Sequence, residues 1–365
     1  MHPWIDAEAK KTVVLLGAGA SQPNVPLANQ LTQLIKDSLD EELVHDNNVQ
    51  ALWRAIRPEL DAIGNNVEYL YQAIETLSYQ DIDPTRHWVT GFKKYGDYED
   101  SDAGRAAFHQ DAERLTHIVA SRAYEIVDSS SKGAELSHFM PMLNAPLAGI
   151  ISLNYDLLIE HAAAAGGVRV STGAQEWDGG PRWRFPVDAT PLLKLHGSVS
   201  WRFSRADIPH WGIPRIGIYE VEDARAAAPG NNRMDSKLIF GGGNKLRPDE
   251  PWPALYTAFE DMLAEAETLV VIGYSFSDPH VDAAIRRWAA QSGSRRIINI
   301  DPCPIEHPSC SSSIGHLRYA LDPTCVTEEG IPSMRSTDGE ARFDLIRQKA
   351  ETGIPEIFGV NNGGD

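Results

Sequence analysis

Four short polar motifs carry the chemistry this sequence can offer: Gly17-Ala18-Gly19-Ala20-Ser21, Asn154-Tyr155-Asp156, Lys194-Leu195-His196-Gly197-Ser198 and Gly273-Tyr274-Ser275-Phe276-Ser277-Asp278. A glycine turn that runs into a helix cradles phosphate, because the backbone can approach an anion and the helix adds free N–H groups and a positive dipole end. A neutral amide such as Asn154 orients a hydroxyl or a water. A histidine such as His196, titrating near neutrality beside a glycine that clears space, is a candidate base. Asn299 and Asp301 close the series, and an acidic side chain at a strand end takes ribose hydroxyls in parallel sheets. Each motif also has a structural reading. Asn and Asp cap helices, a lone histidine is commonly a satisfied core residue, and Ser275, Ser277 and Asp278 read as a turn and cap before Pro279 at a first helical position.

What must position these residues is visible just upstream of each. Apolar runs at Thr12 to Leu16, Leu147 to Leu153, Pro191 to Leu195, Thr268 to Ile272 and Arg296 to Ile300 predict strands. Helices are expected from about Pro26 or Leu27, over Leu157 to Ala165 with a stop at Gly166-Gly167, and over Pro279 to Gln291 with an end near Gly293. Strands alternating with helices predict an α/β fold: a Rossmann-like parallel sheet with helices on both faces. Ligands of such sheets bind beyond the carboxyl ends of the strands. All five polar sites fall on that edge, and their coincidence says more than any one of them.

The remaining segments differ in texture. Val67, Leu70, Tyr71, Ile74 and Leu77, and then Leu115, Ile118, Val119, Ala123 and Ile126, recur at helical spacing. They predict a mostly helical insertion over 23–145, with an exposed loop at Asp97 to Gly104. Ser171 to Gly243 reads as a loop-rich insertion in which Trp177, Trp183, Trp201 and Trp211 pack rather than read a ligand. The core is therefore expected over 10–22 and 146–302. An extension over 303–365 is expected to pack on it, with a helix at Ala341 to Ala350 and a flexible tail at Asn361 to Gly364.

Composition narrows the function classes. Of 365 residues, 33 are basic and 51 acidic, a formal net charge of −18, with no basic run. Such a surface repels nucleic acid and anionic membranes. The first residues lack the apolar segment of a secretion signal, no stretch is long enough to span a bilayer, and three cysteines do not make a disulfide scaffold. The chain reads as cytoplasmic. A serine hydrolase would want Gly-x-Ser-x-Gly, and the motif at Gly273 lacks the second glycine. A Walker kinase would want a lysine, and none follows Gly19. Cys303, His307, Cys310 and Cys325 contain no Cys-x-x-Cys pair, so no metal is expected.

In their order, these motifs resemble the sirtuin-like (silent information regulator) family, and most of all its bacterial anti-phage defence branch. The resemblance covers about residues 10 to 30 and 146 to 302, with Asn66-Val67-Glu68-Tyr69-Leu70 similar to the family's usual first helix of the insertion. It implies an NAD⁺-consuming enzyme. Ala18, Gly19 and Ser21 would hold the pyrophosphate; Asn154 would fix the nicotinamide ribose and attacking water; Asp156 would meet the carboxamide. His196 would be the base, and Gly273, Ser275 and Asn299 would line the adenosine side, with Asp278 and Asp301 also on the cofactor. Family deacylases carry a four-cysteine zinc module between the histidine strand and the Gly-x-Ser strand, whereas Gly197 to Val271 contains no cysteine. The resemblance thus implies hydrolysis of NAD⁺ to nicotinamide and ADP-ribose rather than deacylation. It also implies a homo-oligomer and an activating partner, a HerA-type ring ATPase translocase or a short Argonaute. The alternatives are a deacylase or ADP-ribosyltransferase, or a non-catalytic NAD⁺ or ADP-ribose binder that signals by assembly.

Overall fold

The first strand, β1 (Thr12–Leu16), is buried along its whole length, because it runs through the middle of a sheet covered on both faces. The computed structural model describes residues 1–3, 5, 10–43, 47–62, 64–78, 98, 101–206, 215–221, 251–302, 334–335 and 341–359. After β1 come helices α1 (Ala28–Glu42), α2 (Asn47–Ala62), α3 (Val67–Ser78), α4 (Asp102–Ser131) and the short α5 (Met140–Leu143). Then follow β2 (Leu147–Ser152), α6 (Leu158–Gly166), β3 (Val170–Ser171), β4 (Thr190–Lys194), β5 (Trp201–Ala206) and β6 (Arg215–Glu220). The chain continues with α7 (Trp252–Glu265), β7 (Thr268–Ile272), α8 (Pro279–Ala290), β8 (Arg296–Ile300), β9 (Met334–Arg335), β10 (Ala341–Ile346) and α9 (Ala350–Phe358).

The sheet order is β3-β4-β2-β1-β7-β8-β10-β9. Its pairs are parallel apart from the antiparallel β9–β10 edge. This is a Rossmann-like doubly covered sheet. Side chains alternate along each strand. Val14, Leu16, Ile150, Leu192, Val270 and Ile298 enter a core with α1–α4, α6 and α9. Val13, Leu15, Ile151, Leu193, Val271 and Ile297 enter a second core with α7, α8 and the tryptophans. The chain leaves β1 for α1 on the first face and leaves β7 for α8 on the second. The two neighbouring strands therefore part company at their carboxyl ends, which makes the β1–β7 boundary the topological switch point.

The sequence expectations hold for the five core strands, the helical character of the insertion and the two glycine- or proline-marked helices. Gly167, at φ +67°, ends α6 in the left-handed conformation that glycine adopts freely. Three of the tryptophans pack as expected. Trp177 and Trp183 stack with centroids 5.7 Å apart, and Trp183 lies 5.6 Å from Trp201, which has no exposed surface. Trp211 lies outside the described residues.

Two expectations are corrected. The helix expected over Ala341 to Ala350 is instead β10 followed by α9, which begins only at Ala350. Arg342, Phe343 and Leu345 fit a strand because β8 offers an open parallel edge: Phe343 pairs with Ile297. Arg342 spends its guanidinium on the carbonyls of Ala289, Ser292 and Arg295. The extension thus donates strands to the sheet rather than only packing on it. The loop expected over Asp97 to Gly104 gives way to α4 at Asp102, because the Ser101 side chain accepts from the Gly104 amide and caps the helix; Asp97, Glu99 and Asp100 lie outside the described residues. The short strands β3, β5, β6 and β9 were not expected. The tail at Asn361 to Gly364 is outside the described residues, and among those described no helix is long and apolar enough to cross a membrane.

Candidate active site

At the switch point three glycines bring two turns into contact. Gly17 donates to the Ile272 carbonyl at 2.9 Å and Gly19 to the Gly273 carbonyl at 2.8 Å. A Cβ on Gly273, which sits at φ +61°, would lie 2.3 Å from the Ala20 nitrogen; one on Gly17 would lie 2.6 Å from the Gly273 oxygen. No residue with a side chain fits this crossing. Residues Ala18–Ser21 form a single 3-10 turn, with Ala18 exposed and Ser21 buried. The Gly19 N–H is already spent, so this glycine serves close approach rather than anion binding.

Beside that crossing the polar groups of β1, β2 and β4 are joined together. Asn154 donates its side-chain amide to the Gly17 carbonyl and to Ser21 Oγ, both at 2.8 Å. Ser21 Oγ donates to Asp156 Oδ2 at 2.6 Å, and Asp156 Oδ1 accepts from the Leu158 amide at 3.1 Å, starting α6. Both Asp156 oxygens thus point into the protein, a helix-starting role that its sequence position also allowed. From the next strand, Lys194 donates to the Asp156 carbonyl. It has 1% exposure.

His196 lies two residues past the end of β4 and is buried. Its Nε2 lies 3.2 Å from Asp278 Oδ2, although Asp278 belongs to the loop after β7. Asp278 also caps α8, its Oδ1 accepting from His280 and Val281 at 2.9 and 3.4 Å. That loop is held in shape by Tyr274, whose hydroxyl accepts from the Asp278 amide at 3.0 Å and donates to Asp282 at 2.8 Å. Burial, together with the Asp282 carboxylate, pushes the Tyr274 hydroxyl far above its ordinary range. Phe276, buried beside Tyr274, sits at φ +53°, a left-handed strain of the kind that collects at functional loops. The Tyr155 ring lies 6.4 Å from the His196 ring. Burial and the Glu68 carboxylate of α3 push its own hydroxyl well above its ordinary range, so the helical insertion reaches this edge.

The β7–β8 side is different. Ser275 is exposed and, among the described residues, its hydroxyl pairs with Ser277, 2.9 Å away. Asn299 has no exposed surface, and among the described residues neither its Nδ2 nor its Oδ1 finds a partner. Asp301 follows β8 and is half-buried, its amide donating to the Ile346 carbonyl at 3.1 Å. An orphaned buried amide carries a desolvation cost of about 1–3 kcal/mol that a ligand can remove.

All the expected residues therefore stand on one edge, in the strand order His196, Asn154 and Asp156, Gly17 to Ser21, Gly273 to Ser275, then Asn299 and Asp301. Sequence reasoning assigned no role to Lys194, Tyr274 or Glu68. Lys194 was inside a quoted motif, but a lysine ending an apolar run gives no sign of being buried. Among the described residues no group of three or more His, Cys, Asp or Glu side chains is placed to hold a metal; Cys303, His307, Cys310 and Cys325 lie outside them.

Among solved structures, the chain is similar to a Sir2 homologue in complex with NAD, at 17% identity over 96% of this chain and 89% of that one, with a TM-score of 0.45. It is also similar to a Sir2 bound to the inhibitor EX-527, 2′-O-acetyl-ADP-ribose and a deacetylated p53 peptide, at 12% identity over 96% and 93%, with a TM-score of 0.39. The assignment of fold rests on the strand order above rather than on these likenesses. No curated protein matches the chain. Residues 148–315, which hold Asn154, His196, Gly273 and Asn299 but not the glycine turn after β1, match the family model of the SIR2-like domain.

Proposed function

We propose that the chain is an NAD⁺ glycohydrolase, cleaving NAD⁺ and water to ADP-ribose, nicotinamide and a proton. The observation that carries this reading is the hydrogen-bonded set Gly17, Ser21, Asn154 and Asp156, with His196 one strand away. From β4 to β8 the edge crosses four strand intervals, about 19 Å at ~4.8 Å each, room for an extended dinucleotide. The nicotinamide end lies at His196 and Asn154 and the adenosine end at Gly273, Ser275, Asn299 and Asp301. Both hydrogens of the Asn154 amide are engaged inside the protein, so its oxygen is the atom offered to a ribose hydroxyl or a water. His196, held by Asp278, takes the proton as water attacks C1′. The ribose gains positive charge as neutral nicotinamide leaves, and the nearby carboxylates of Asp278, Asp156 and Glu68 favour that charge. Little covalent help is needed: orientation, a base and exclusion of bulk water supply most of the rate. The pyrophosphate is assigned to the Ala18–Ser21 turn, with Gly19 as the surface of close approach and Ser21, whose hydroxyl proton is on Asp156, fixing the turn to Asn154 and Asp156.

The absence of cysteine from Gly197 to Val271 favours hydrolysis over deacylation. An unrestrained NAD⁺ hydrolase would kill its own cell. We therefore assign control to a partner or to self-assembly, with the cellular role that of an anti-phage effector that depletes NAD⁺. A ring ATPase translocase or a short Argonaute is the partner that the resemblance implies.

The test is nicotinamide release from NAD⁺ by the purified chain, alone and with the product of a neighbouring gene. Release that Asn154→Ala and His196→Ala each reduce at least about 10³-fold without unfolding supports the reading. Tight NAD⁺ binding with no release in any complex would replace it with a non-catalytic binder.

A further inference from the structure

Lys194, buried on β4, and its half-buried neighbour Glu160 on α6 are charges next to this edge that the reaction above leaves unused. Glu160 sits on α6 with Oε1 3.4 Å from Lys194 Nζ, but neither of its oxygens takes a hydrogen bond among the described residues. Burial pushes its carboxyl upward against the pull of Lys194. The directional contact of the ammonium is elsewhere, on the backbone carbonyl of Asp156. That carbonyl belongs to the turn between β2 and α6, two residues beyond Asn154. Lys194 itself is on β4, two residues before His196. One buried side chain thus fastens the turn bearing the amide to the strand bearing the imidazole. It does so beneath the Asp156–Ser21–Asn154 chain of hydrogen bonds.

We infer that Lys194 is a positioning residue for Asn154, acting through the Asp156 carbonyl; the inference rests on the NAD⁺-cleaving reading of this edge. A side chain that only filled space would be replaced by methionine without kinetic consequence. One that orients, through a single carbonyl, the amide that holds the attacking water lowers kcat and spares binding, because the glycine crossing and the β7–β8 side are untouched.

The test uses the full chain carrying Lys194→Met together with Glu160→Gln, so that no lone charge stays buried. Turnover of NAD⁺ is compared with ADP-ribose affinity, and both are repeated in an Asn154→Ala background. We expect kcat to fall about 30-fold, the range of lost outer-shell support, with KM and the ADP-ribose Kd within about threefold. In the Asn154→Ala background the further loss should shrink to below about threefold, since the two residues then act as one. Glu160→Gln alone should leave kcat within about threefold. Equal losses in both backgrounds, or KM and Kd rising with the fall in kcat, would overturn the assignment. If the methionine variant does not fold, Lys194→Gln with Glu160→Gln replaces it, its shorter amide stopping short of the carbonyl. If no condition yields NAD⁺ cleavage, that failure concerns the reaction alone. Lys194 is then decided by side-chain amide exchange in protein labelled with [15N]asparagine. Asn154 exchange about tenfold faster in the double variant supports the role, and unchanged exchange overturns it.

Discussion

The two halves of the carboxyl edge are built on opposite principles. On the β4–β2–β1 side the polar groups are tied into a chain: Lys194 to Asp156, Asp156 to Ser21, Ser21 to Asn154, Asn154 to Gly17. On the β7–β8 side Ser275 faces outward and the Asn299 amide is buried with both atoms unpaired among the described residues. Groups that guide a reaction must be held before substrate arrives, since reorganisation at the transition state costs rate. Groups that only recognise a ligand can wait unpaired, because their unmet hydrogen bonds are made in the complex and sharpen selectivity. The first half fits chemistry and the second fits recognition.

The largest effect should come from the joint between the halves. Gly273→Ala places a Cβ 2.3 Å from backbone nitrogen at positive φ. Denaturant unfolding should show a loss of at least about 3 kcal/mol, the scale of backbone strain plus overpacking, with no measurable ADP-ribose binding. A neutral result would break the idea that the two turns must touch.

Ser21→Ala comes next. It strips Asn154 and Asp156 of a shared partner and should cost about 1–3 kcal/mol of stability. The kcat for nicotinamide release should fall further than ADP-ribose affinity does.

Asn299→Leu should have the opposite sign. With no side-chain hydrogen bond to lose among the described residues, stability should hold or rise by up to about 1 kcal/mol, while ADP-ribose binding weakens about tenfold. A drop in stability comparable to that of Ser21→Ala would erase the contrast between the halves.

The smallest effect concerns pH. The folded state raises the Glu160 pKa above its unfolded value of 4.5, so it holds a proton that the unfolded chain releases. Stability therefore declines as pH climbs from about 4.5 through the raised folded value. Glu160→Gln should flatten that part of the profile, read by urea unfolding across the acid range.

Much of this edge was legible beforehand for a definite reason. Buried parallel strands announce themselves as short apolar runs, and glycines, asparagines and histidines at their ends are conspicuous against them. Asn154, His196, Gly273 and Asn299 could be assigned to one edge without coordinates. Strand β10 could not, because Ala341 to Ile346 carries no decisive periodicity and becomes a strand only where β8 leaves an edge to pair with. Ser101 as a cap was hidden likewise in an acidic stretch that read as a loop.

The sequence by itself determined the alternation of strands and helices and which residues end the strands, since both are local consequences of side-chain type and spacing. Tertiary structure decided the partners. It set Asp278 against His196 across the sheet, turned both oxygens of Asp156 inward, buried Lys194 and left the Asn299 amide unpaired among the described residues. Those outcomes depend on which strands become neighbours, and β4 and β7 are far apart in the chain. Hydrogen bonding is short-ranged and directional, so only the assembled sheet settles which polar groups are satisfied by the protein and which are left for a ligand.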